Sequence, residues 1–442
     1  MLRFRWETEF KETEIGEIPK DWEVSKIGVF YKLKYGITAN SSEFGNCRLL
    51  RQTDLKEGFI DVSGVPYSEV SEDEIQKYLL KDDDLVISRI ANVGSIGYVS
   101  FEVLNSLDKP LIFGSYLLKF EKIKEIHNKF TFYFLLSPQM QDYIKSIADG
   151  STRQNTNAKV VAEFPLYVPP LPEQSRIATV LSWFDDLIEV KKKQNEILEK
   201  TAMAIFKSWF IDFEPFRDGE FVYSEELGKE IPKGWEVKKI GEVADFKNGL
   251  SYKGSEKFNE QVHGSLIFIT LNNIIEGGGF KTEYAWIKSE RIKNQHLLRE
   301  GDIIFANTEQ TKTGRLLGTP AFVIFPTQYS KSVGVFSHHL TKIDPKDFRM
   351  KYFFYLLFRL YQQEFAQSFH TGTGVWGFDL QNFKTNYLIP IPPSHILQSF
   401  HSLVEPLFQK IILNQKQIMT LRKIRDTLLP LLVFGKLRVE EV

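Results

Sequence analysis

The sequence has very little cysteine, since Cys47 is the only one in 442 residues. A single cysteine excludes a disulfide framework and any cysteine-based zinc site, and it fits a reducing cytoplasm, where we expect the protein to work. Long apolar runs are also missing, because stretches such as residues 428–434 are far too short to cross a bilayer. Residues 1–10 contain two glutamates and no apolar core, which argues against a secretion signal.

Signatures of catalysis are absent as well. No Gly-Lys-Ser or Gly-Lys-Thr occurs, which excludes a Walker loop, and no Asn- or Asp-Pro-Pro-aromatic segment of a base methyltransferase is present. Residues 372–377 match Gly-x-Gly-x-x-Gly formally, but a helical pattern precedes them in place of the strand that a dinucleotide site requires. Of the eight histidines only His338 and His339 are adjacent. We therefore predict no catalytic residue, no metal site and no cofactor bound by this chain.

An internal duplication organises the chain. The segment Ile18-Pro19-Lys20-Asp21-Trp22 recurs 213 residues later as Ile231-Pro232-Lys233-Gly234-Trp235. Residues 84–89 are matched by 302–307 at an offset of 218, and residues 168–170 by 391–393 at an offset of 223. Because the motifs keep their order while the offset drifts slowly, the sequence predicts two copies of one unit that differ by small loop insertions.

Each copy follows the same plan, in which strand-like runs precede a helical stretch. The strand-like runs include residues 84–88 and 266–270, separated by Gly, Asn and Asp turn signals. Three features follow in each copy: an aromatic helix-like stretch (130–147 and 352–369), a polar loop (149–157 and 370–378), and a proline-marked start to a long helix (173 to about 210 and 396 to about 434). This order is typical of α+β units and not of a doubly wound sheet.

The two long helical stretches carry apolar residues at steps of three and four. Such a heptad pattern cannot be left in water, so we expect the two helices to pair as a coiled coil, antiparallel if a pseudo-twofold axis relates the halves. Asn195 and Asn414 both fall on the apolar positions, where a polar residue costs stability but fixes register. The alternative is that each helix packs on its own globular unit. The predicted class is thus α+β, with two duplicated globular α/β units joined by two long antiparallel helices.

Candidate DNA-contacting residues are polar and differ between the copies in register. Arginine reads guanine, and asparagine or glutamine reads adenine, through hydrogen bonds to base edges. The polar loops supply the first set: Ser151, Thr152, Arg153, Gln154, Asn155, Asn157 and Lys159, then His370, Thr371, Thr373, Trp376 and Gln381. Weaker candidates are Arg51, Gln52, Arg89, Asn92, Asn272, Asn273, Asn307 and Arg315. An ordinary solvated loop explains the first set equally well, and a turn or ion pair is the alternative for each of the second.

Taken together, these motifs give the chain a family resemblance over essentially its full length. It resembles the specificity (S) subunit of type I restriction-modification systems through residues 18–22, 169–178, 198–213 and 425–430, together with Gly435. The second copy departs from the pattern after residues 391–393, where Ser394-His395-Ile396 replaces the Leu-Pro-Glu of the first. The resemblance implies target recognition domain 1 at 1–168, spacer helix 1 at 169–213, a linker with target recognition domain 2 at 214–390, and spacer helix 2 at 391–442.

The resemblance also implies a function and partners. The two domains would each read one half of a split, asymmetric target in double-stranded DNA, and the helices would fix the gap between the halves. Two methyltransferase subunits that bind S-adenosylmethionine would be recruited, with restriction subunits that use ATP and Mg in the full complex. A duplicated protein-binding scaffold or adaptor without DNA recognition remains the alternative, and a stand-alone enzyme is a third possibility.

The net charge bears on these alternatives. The chain has 56 Lys+Arg and 57 Asp+Glu, a formal charge of -1, whereas DNA-binding proteins usually carry a basic excess. Residues 1–230 hold 29 basic and 38 acidic residues (-9), and residues 231–442 hold 27 and 19 (+8). The balance is therefore a cancellation between the halves. We expect weak DNA binding by this subunit alone, and weaker binding by the first domain than by the second.

Overall fold

The computed structural model describes residues 2–14, 16–56, 58–90, 92–149, 156–311 and 313–441. The chain divides into two compact units, the first made of residues 1–186 and 421–442 and the second of residues 187–420. In the part of the chain that the structure describes, no helix is both long and apolar enough to span a membrane.

The first unit is built on a four-stranded antiparallel sheet. Its strands lie in the order Ile96–Val99, Asp84–Ser88, Leu117–Lys122 and Tyr31–Tyr35. The remaining strands of this unit are Leu2–Trp6, Phe10–Lys11, Ile18–Pro19, Glu23–Lys26, Cys47–Leu50, Leu55–Lys56, Phe59–Ile60, Tyr67–Ser68, Leu111–Phe113, Pro165–Val168 and Leu437–Glu441. Its short helices are Ile27–Phe30, Glu72–Tyr78, Phe101–Asn105, Asn128–Leu136, Pro138–Asp149 and Ala158–Ala162.

The second unit repeats that sheet with the same strand order. Its strands are Pro320–Phe322, Ile303–Ala306, Leu340–Pro345 and Ala244–Asn248. Other strands are Phe221–Ser224, Lys229–Pro232, Glu236–Lys239, Lys257–Phe258, Leu266–Ile269, Ala285–Ile287, Leu297–Leu298, Thr308–Glu309, Gly334–Phe336, His370–Thr371, Trp376–Phe378 and Leu388–Ile391. Its shorter helices are Ile240–Val243, Lys351–Ser368 and Leu380–Asn386. The duplication read from the sequence is therefore a duplication of topology.

The same close backbone contact recurs in both units and explains a repeated glycine. A Cβ on Gly36 would lie 2.3 Å from the Gly114 carbonyl oxygen, and a Cβ on Gly249 would lie 2.2 Å from the Ser337 carbonyl oxygen. Neither position can carry a side chain without moving a neighbouring strand. Gly36 and Gly249 are 213 residues apart, the offset of the first motif pair, and this close contact explains why both copies have glycine there.

The aromatic helical stretches are confirmed in position but not in continuity. In the first unit the stretch is two helices, Asn128–Leu136 and Pro138–Asp149, because a proline inside a helix removes a hydrogen bond and clashes with the preceding turn. In the second unit Lys351–Ser368 is kinked at Tyr361, whose φ of -103° and ψ of 15° are not helical. Phenylalanines and tyrosines of these helices fill both cores.

Two 40-residue helices, Leu171–Phe210 and Ser394–Val433, are the long helices expected from the heptad pattern. In the second unit they run antiparallel, since Asn195 contacts Asn414 while Phe206, further along, packs on Phe400. The amide nitrogen of Asn414 donates to Asn195 Oδ1 at 2.9 Å, and both side chains are buried. The predicted fold class is confirmed. The role of this asparagine pair in fixing register remains a prediction.

The second long helix ends close to the predicted residue, about 434, while the domain bound 391–442 stays a prediction. The helix stops at Val433, and Gly435 follows with a left-handed φ of +67°, a common way to end a helix. A Cβ there would lie 2.4 Å from Pro19 and 2.9 Å from Trp22. Beyond it, Leu437–Glu441 forms a strand that pairs with Leu2–Trp6, a contact between chain ends that no local sequence pattern could indicate.

Candidate nucleic-acid interface

In the first unit the central strand Asp84–Ser88 ends at Arg89, where three chain segments meet. The Arg89 amide donates to the Tyr116 carbonyl at 3.0 Å, and its own carbonyl accepts from the Thr156 amide at 2.8 Å. Its side chain donates through Nε to the Ser115 carbonyl at 3.1 Å and lies 5.3 Å from the Tyr35 ring centre. The contact with Thr156 holds the end of the predicted polar loop against the end of the sheet.

The second unit repeats this junction with a different side chain. The Asn307 amide donates to the His339 carbonyl at 3.0 Å, and its carbonyl accepts from the Phe378 amide at 2.8 Å. The side-chain nitrogen of Asn307 donates to the His338 carbonyl at 3.1 Å and to Thr341 Oγ1 at 3.0 Å. Equivalent backbone contacts therefore hold Arg89 in the first unit and Asn307 in the second. Each side chain donates to a carbonyl of the equivalent turn in its own unit, Ser115 or His338.

Only part of the polar loop of the first unit lies within the described residues. Ser151, Thr152, Arg153, Gln154 and Asn155 lie outside the described residues. Asn157 caps the helix Ala158–Ala162, accepting from the Val160 amide at 3.1 Å, and Lys159 is exposed on that helix. Asn92 is exposed in the connection that follows the central strand.

Arg51 and Gln52, predicted as weaker candidates, lie in a tight turn. Arg51 binds the buried carboxylate of Asp54 through Nε at 3.1 Å and a terminal nitrogen at 2.8 Å, and it also donates to the Gly64 carbonyl at 2.6 Å. The hydrogen bond to Asp54 raises the pKa of Arg51. Gln52 is half-buried, and its Oε1 is buried. These contacts match the structural alternative for Arg51, in which the arginine stabilises a turn.

In the second unit the polar loop forms a small sheet at the strand end. The strand Trp376–Phe378 pairs with Thr308–Glu309 on one side and His370–Thr371 on the other. The His370 and Trp376 rings stack with centres 4.2 Å apart and an interplanar angle of 20°. Thr371 donates through Oγ1 to the Gly377 carbonyl at 3.2 Å, and Thr373 and Gln381 are exposed. The structure thus brings His370, Thr371 and Trp376 together beside Asn307.

The other candidates of the second unit separate into buried and exposed residues. Asn273 is buried, accepting from the Thr270 amide at 2.8 Å and donating to the Lys281 and Glu283 carbonyls at 2.9 and 2.6 Å. Its amide is committed to the fold, whereas the neighbouring Asn272 is exposed. Arg315 is also exposed and pairs with Glu276 at 3.4 Å. Exposed pairs of this kind contribute little stability, about 0–1 kcal/mol, so Arg315 can exchange partners.

Sequence reasoning missed a histidine pair at this junction. The His338 and His339 rings lie 3.9 Å apart, Tyr252 packs against His338 at 6.0 Å, and Thr308 Oγ1 lies 2.9 Å from His339 Nδ1. Burial is the main cause that lowers the pKa of His339, and the neighbouring His338 lowers it further. The only sequence signal for this pair is the adjacency of the two histidines, a pattern that also suggests a metal site. Among the described residues no cluster of three or more metal-binding side chains occurs.

Comparisons with known proteins agree with this duplicated architecture. A family model described as the type I restriction modification DNA specificity domain matches residues 19–200 and again 232–423. The chain is 39% identical over 452 residues to the type I restriction enzyme MjaIX specificity subunit of Methanocaldococcus jannaschii, covering 100% of this chain and 99% of the relative. It is 26% identical to the MjaVIII specificity subunit of the same organism, with the same two coverages.

A solved structure shows the same fold at low identity. The crystal structure of a type I restriction-modification system S subunit from M. genitalium superposes with a TM-score of 0.52 at 17% identity, covering 93% of this chain and 96% of that chain. The predicted class, a specificity subunit and not an enzyme, is confirmed by the family model and the named relatives. The chain belongs to the family of type I restriction modification DNA specificity proteins.

Proposed function

We propose that the chain reads a bipartite, asymmetric sequence in double-stranded DNA, one half with each unit. The observation that carries this proposal is the repeated junction at the end of the central strand. The same two backbone contacts hold Arg89 and Asn307 in place, while the surrounding side chains differ between the units. A constant frame with variable polar and aromatic side chains is what the reading of two different base sequences requires.

The long helices support a second part of the proposal, the recruitment of methyltransferase subunits. In the second unit several large apolar side chains on these helices are exposed to solvent. Leu187, Val190, Ile197 and Leu413 have 48%, 51%, 64% and 48% of their surfaces exposed. Apolar surface left on long helices is typical of partner binding. On this proposal S-adenosylmethionine is bound by the methyltransferase subunits, and ATP and Mg by restriction subunits that join the full complex.

The helices would also fix the gap between the two half-sites. Each has 40 residues, which at 1.5 Å per residue gives a length of about 60 Å. Half-sites on one face of DNA are separated by whole turns of about 34 Å. A rigid spacer of this length therefore fits a split target better than a continuous one.

Mapping of methylated positions in the host genome tests the DNA-reading proposal. We expect one split motif with two different halves, which disappears when the gene for this chain is deleted. Gel-shift titration of the full chain with its methyltransferase subunits adds a physical measurement, because DNA affinity should fall steeply as salt rises. Methylation that persists without the chain, or binding to DNA that ignores salt and sequence, would favour the protein-only scaffold.

A further inference from the structure

Glu309 is a buried carboxylate for which the proposed function supplies no role. It ends the short strand Thr308–Glu309 with 1% of its surface exposed. Oε1 accepts from Thr311 Oγ1 at 2.5 Å and from the Thr313 amide and hydroxyl at 3.0 and 2.8 Å. Oε2 accepts from the amides of Leu316 and Leu317 at 2.9 and 2.8 Å. Burial by itself would raise the pKa of Glu309, but these hydrogen bonds outweigh it and lower the pKa to about 2.

The loop that Glu309 organises, described at residues 310–311 and 313–318, is also held from its other side. Gln362, on the helix Lys351–Ser368, donates to the carbonyls of Gly314 at 2.7 Å and Leu317 at 2.5 Å. Gly314 and Gly318 adopt left-handed φ values of +69° and +80°, which glycine permits at little cost. The loop backbone is therefore fixed by an ionised side chain on one side and an amide side chain on the other.

This fixed backbone presents polar side chains to solvent. Gln310, Thr311, Thr313 and Arg315 are all exposed. Arg315, with 67% of its side chain exposed, contacts only the exposed Glu276 among the ion pairs of the described residues, at 3.4 Å. The loop begins at the strand that pairs with Trp376–Phe378, so it adjoins the stacked His370 and Trp376.

The first unit has no counterpart to this loop in sequence. The connection after its central strand has seven residues, 89–95, with no acidic side chain, whereas the second unit has thirteen residues, 307–319. A buried charge is costly unless it is satisfied by several hydrogen bonds, and here all of those bonds hold one loop whose polar side chains are exposed. A loop ordered in advance loses little conformational entropy when it binds.

We propose that residues 310–311 and 313–318 form a base-contacting surface that is specific to the second unit. Gln310 and Arg315 determine base preference through the major groove, where glutamine pairs with adenine and arginine with guanine. Glu309 is a positioning residue that holds the loop in its binding conformation. The proposal rests on the proposed function, since it names the residues that give one half of the target its sequence.

Competition binding tests the loop. The full chain, assembled with its methyltransferase subunits, is titrated with duplexes that carry single base changes across both halves of the mapped target. The variants are the double substitution Gln310→Ala/Arg315→Ala, which removes only exposed side chains, and Glu309→Gln. The matched control is Asn92→Ala, an exposed residue in the equivalent connection of the first unit. Circular dichroism checks that each variant is folded. If Glu309→Gln does not fold, the double variant alone tests the proposal.

We expect the double variant to lose about tenfold in discrimination at one or two positions of one half-site and none in the other half. Glu309→Gln should affect the same positions, while Asn92→Ala affects the other half or neither. Unchanged discrimination, an equal loss in both halves, or an effect of Asn92→Ala at the loop's positions would overturn the loop proposal and leave the proposed function intact. A wild-type complex without preference for any split sequence would overturn the proposed function itself.

Discussion

The repeated Ile-Pro-Lys-x-Trp segment lies beside a cluster of ion pairs in the first unit and beside a cluster of aromatic rings in the second. In the first, Arg438 from the terminal strand is 8% exposed and binds three carboxylates. It contacts Glu173 at 2.6 and 2.8 Å, Asp21 at 3.0 and 2.9 Å, and Glu7 at 2.7 Å. In the second unit, aromatic rings surround Trp235, the counterpart of Trp22. Phe213, Phe216 and Phe210 lie with ring centres 5.2, 5.5 and 5.9 Å from it.

The departure of the second copy from the family pattern follows from this difference. At the offsets of the duplication, Gly234 stands where the first copy has Asp21, and Ile396 stands where it has Glu173. Two of the three carboxylates that bind Arg438 are thus absent from the second copy. The repeated Ile-Pro-Lys-x-Trp segment thus specifies a place for its tryptophan, while the residue at x and residues outside the segment decide whether charges or rings complete the junction.

Breaking the ionic junction should have the largest effect on stability. Arg438→Met leaves Glu173, whose side chain is 5% exposed, without its cation, and it leaves Glu7, 9% exposed, with only Arg5 at 3.5 Å. We expect a loss of about 3–5 kcal/mol in the free energy of unfolding, measured by urea denaturation of the full chain. The control Arg217→Gln breaks the exposed pair with Glu214, away from the junction, and should cost about 0–1 kcal/mol. Equal losses in the two variants would mean that burial does not govern this junction.

Opening the aromatic junction should have a similar or slightly smaller effect. Phe210→Ala removes a ring that is 2% exposed and lies 4.7 Å from Phe400 and 5.0 Å from Phe353. Truncation of a buried phenylalanine costs about 3 kcal/mol or more, and urea denaturation should show it at low and high salt alike. Tyr223→Ala, at a side chain that is 65% exposed, is the control and should change stability little. A strong salt dependence of the Phe210→Ala loss would contradict a purely aromatic junction.

Acid should distinguish the two junctions. Burial would raise the pKa of Glu7, but hydrogen bonds from the amides of Thr8 and Glu9 and from Arg438 lower it to about 2. A lowered pKa in the folded state means that Glu7 contributes stability at neutral pH and down to its unfolded value, about 4.3, and loses that contribution as pH falls towards 2. Urea midpoints measured from pH 6 to pH 2 should therefore fall less in Glu7→Gln than in wild type. Parallel curves would exclude Glu7 as a source of acid sensitivity.

A polar contact inside the second unit extends the comparison to uncharged groups. Asn414→Leu leaves Asn195 Oδ1, which accepts from Asn414 at 2.9 Å, buried without its donor. We expect a loss of about 1–3 kcal/mol, the cost of a buried unsatisfied polar group. The double substitution Asn195→Leu/Asn414→Leu should be at least as stable as wild type, since it also removes Asn195 Nδ2 and Asn414 Oδ1, which are buried without a partner. If the double variant were as unstable as the single one, packing and not polarity would explain the effect.

The smallest effect is expected at Gly234. Its φ is +89° and a Cβ would have no atom within 4 Å, so Gly234→Ala meets backbone strain and no clash. The expected loss is about 1–2 kcal/mol. Gly254→Ala is the matched control, because its Cβ would also have no atom within 4 Å and its φ lies outside the left-handed region. A stability change in Gly254→Ala as large as that in Gly234→Ala would remove the conformational explanation.

The duplication, the α+β class and the two long helices were all predictable without any tertiary contact. These features depend on periodicity and repeated motifs, which are local properties that survive in any copy of the unit. The same local reasoning failed at Pro138, where one predicted helical stretch is two helices, and it did not indicate the strand Leu437–Glu441. The predicted domain boundaries remain predictions.

Only the tertiary structure decided which polar residues are available to a partner. Asn273 and Asn307 have the side chain expected of a base reader, yet both amides bond to the protein's own backbone. Conversely, the Arg438 junction depends on contacts outside any sequence window, since it joins residues up to 431 positions apart. A side chain's chemistry is written in the sequence, but its burial and its partners are set by which distant segments fold against it.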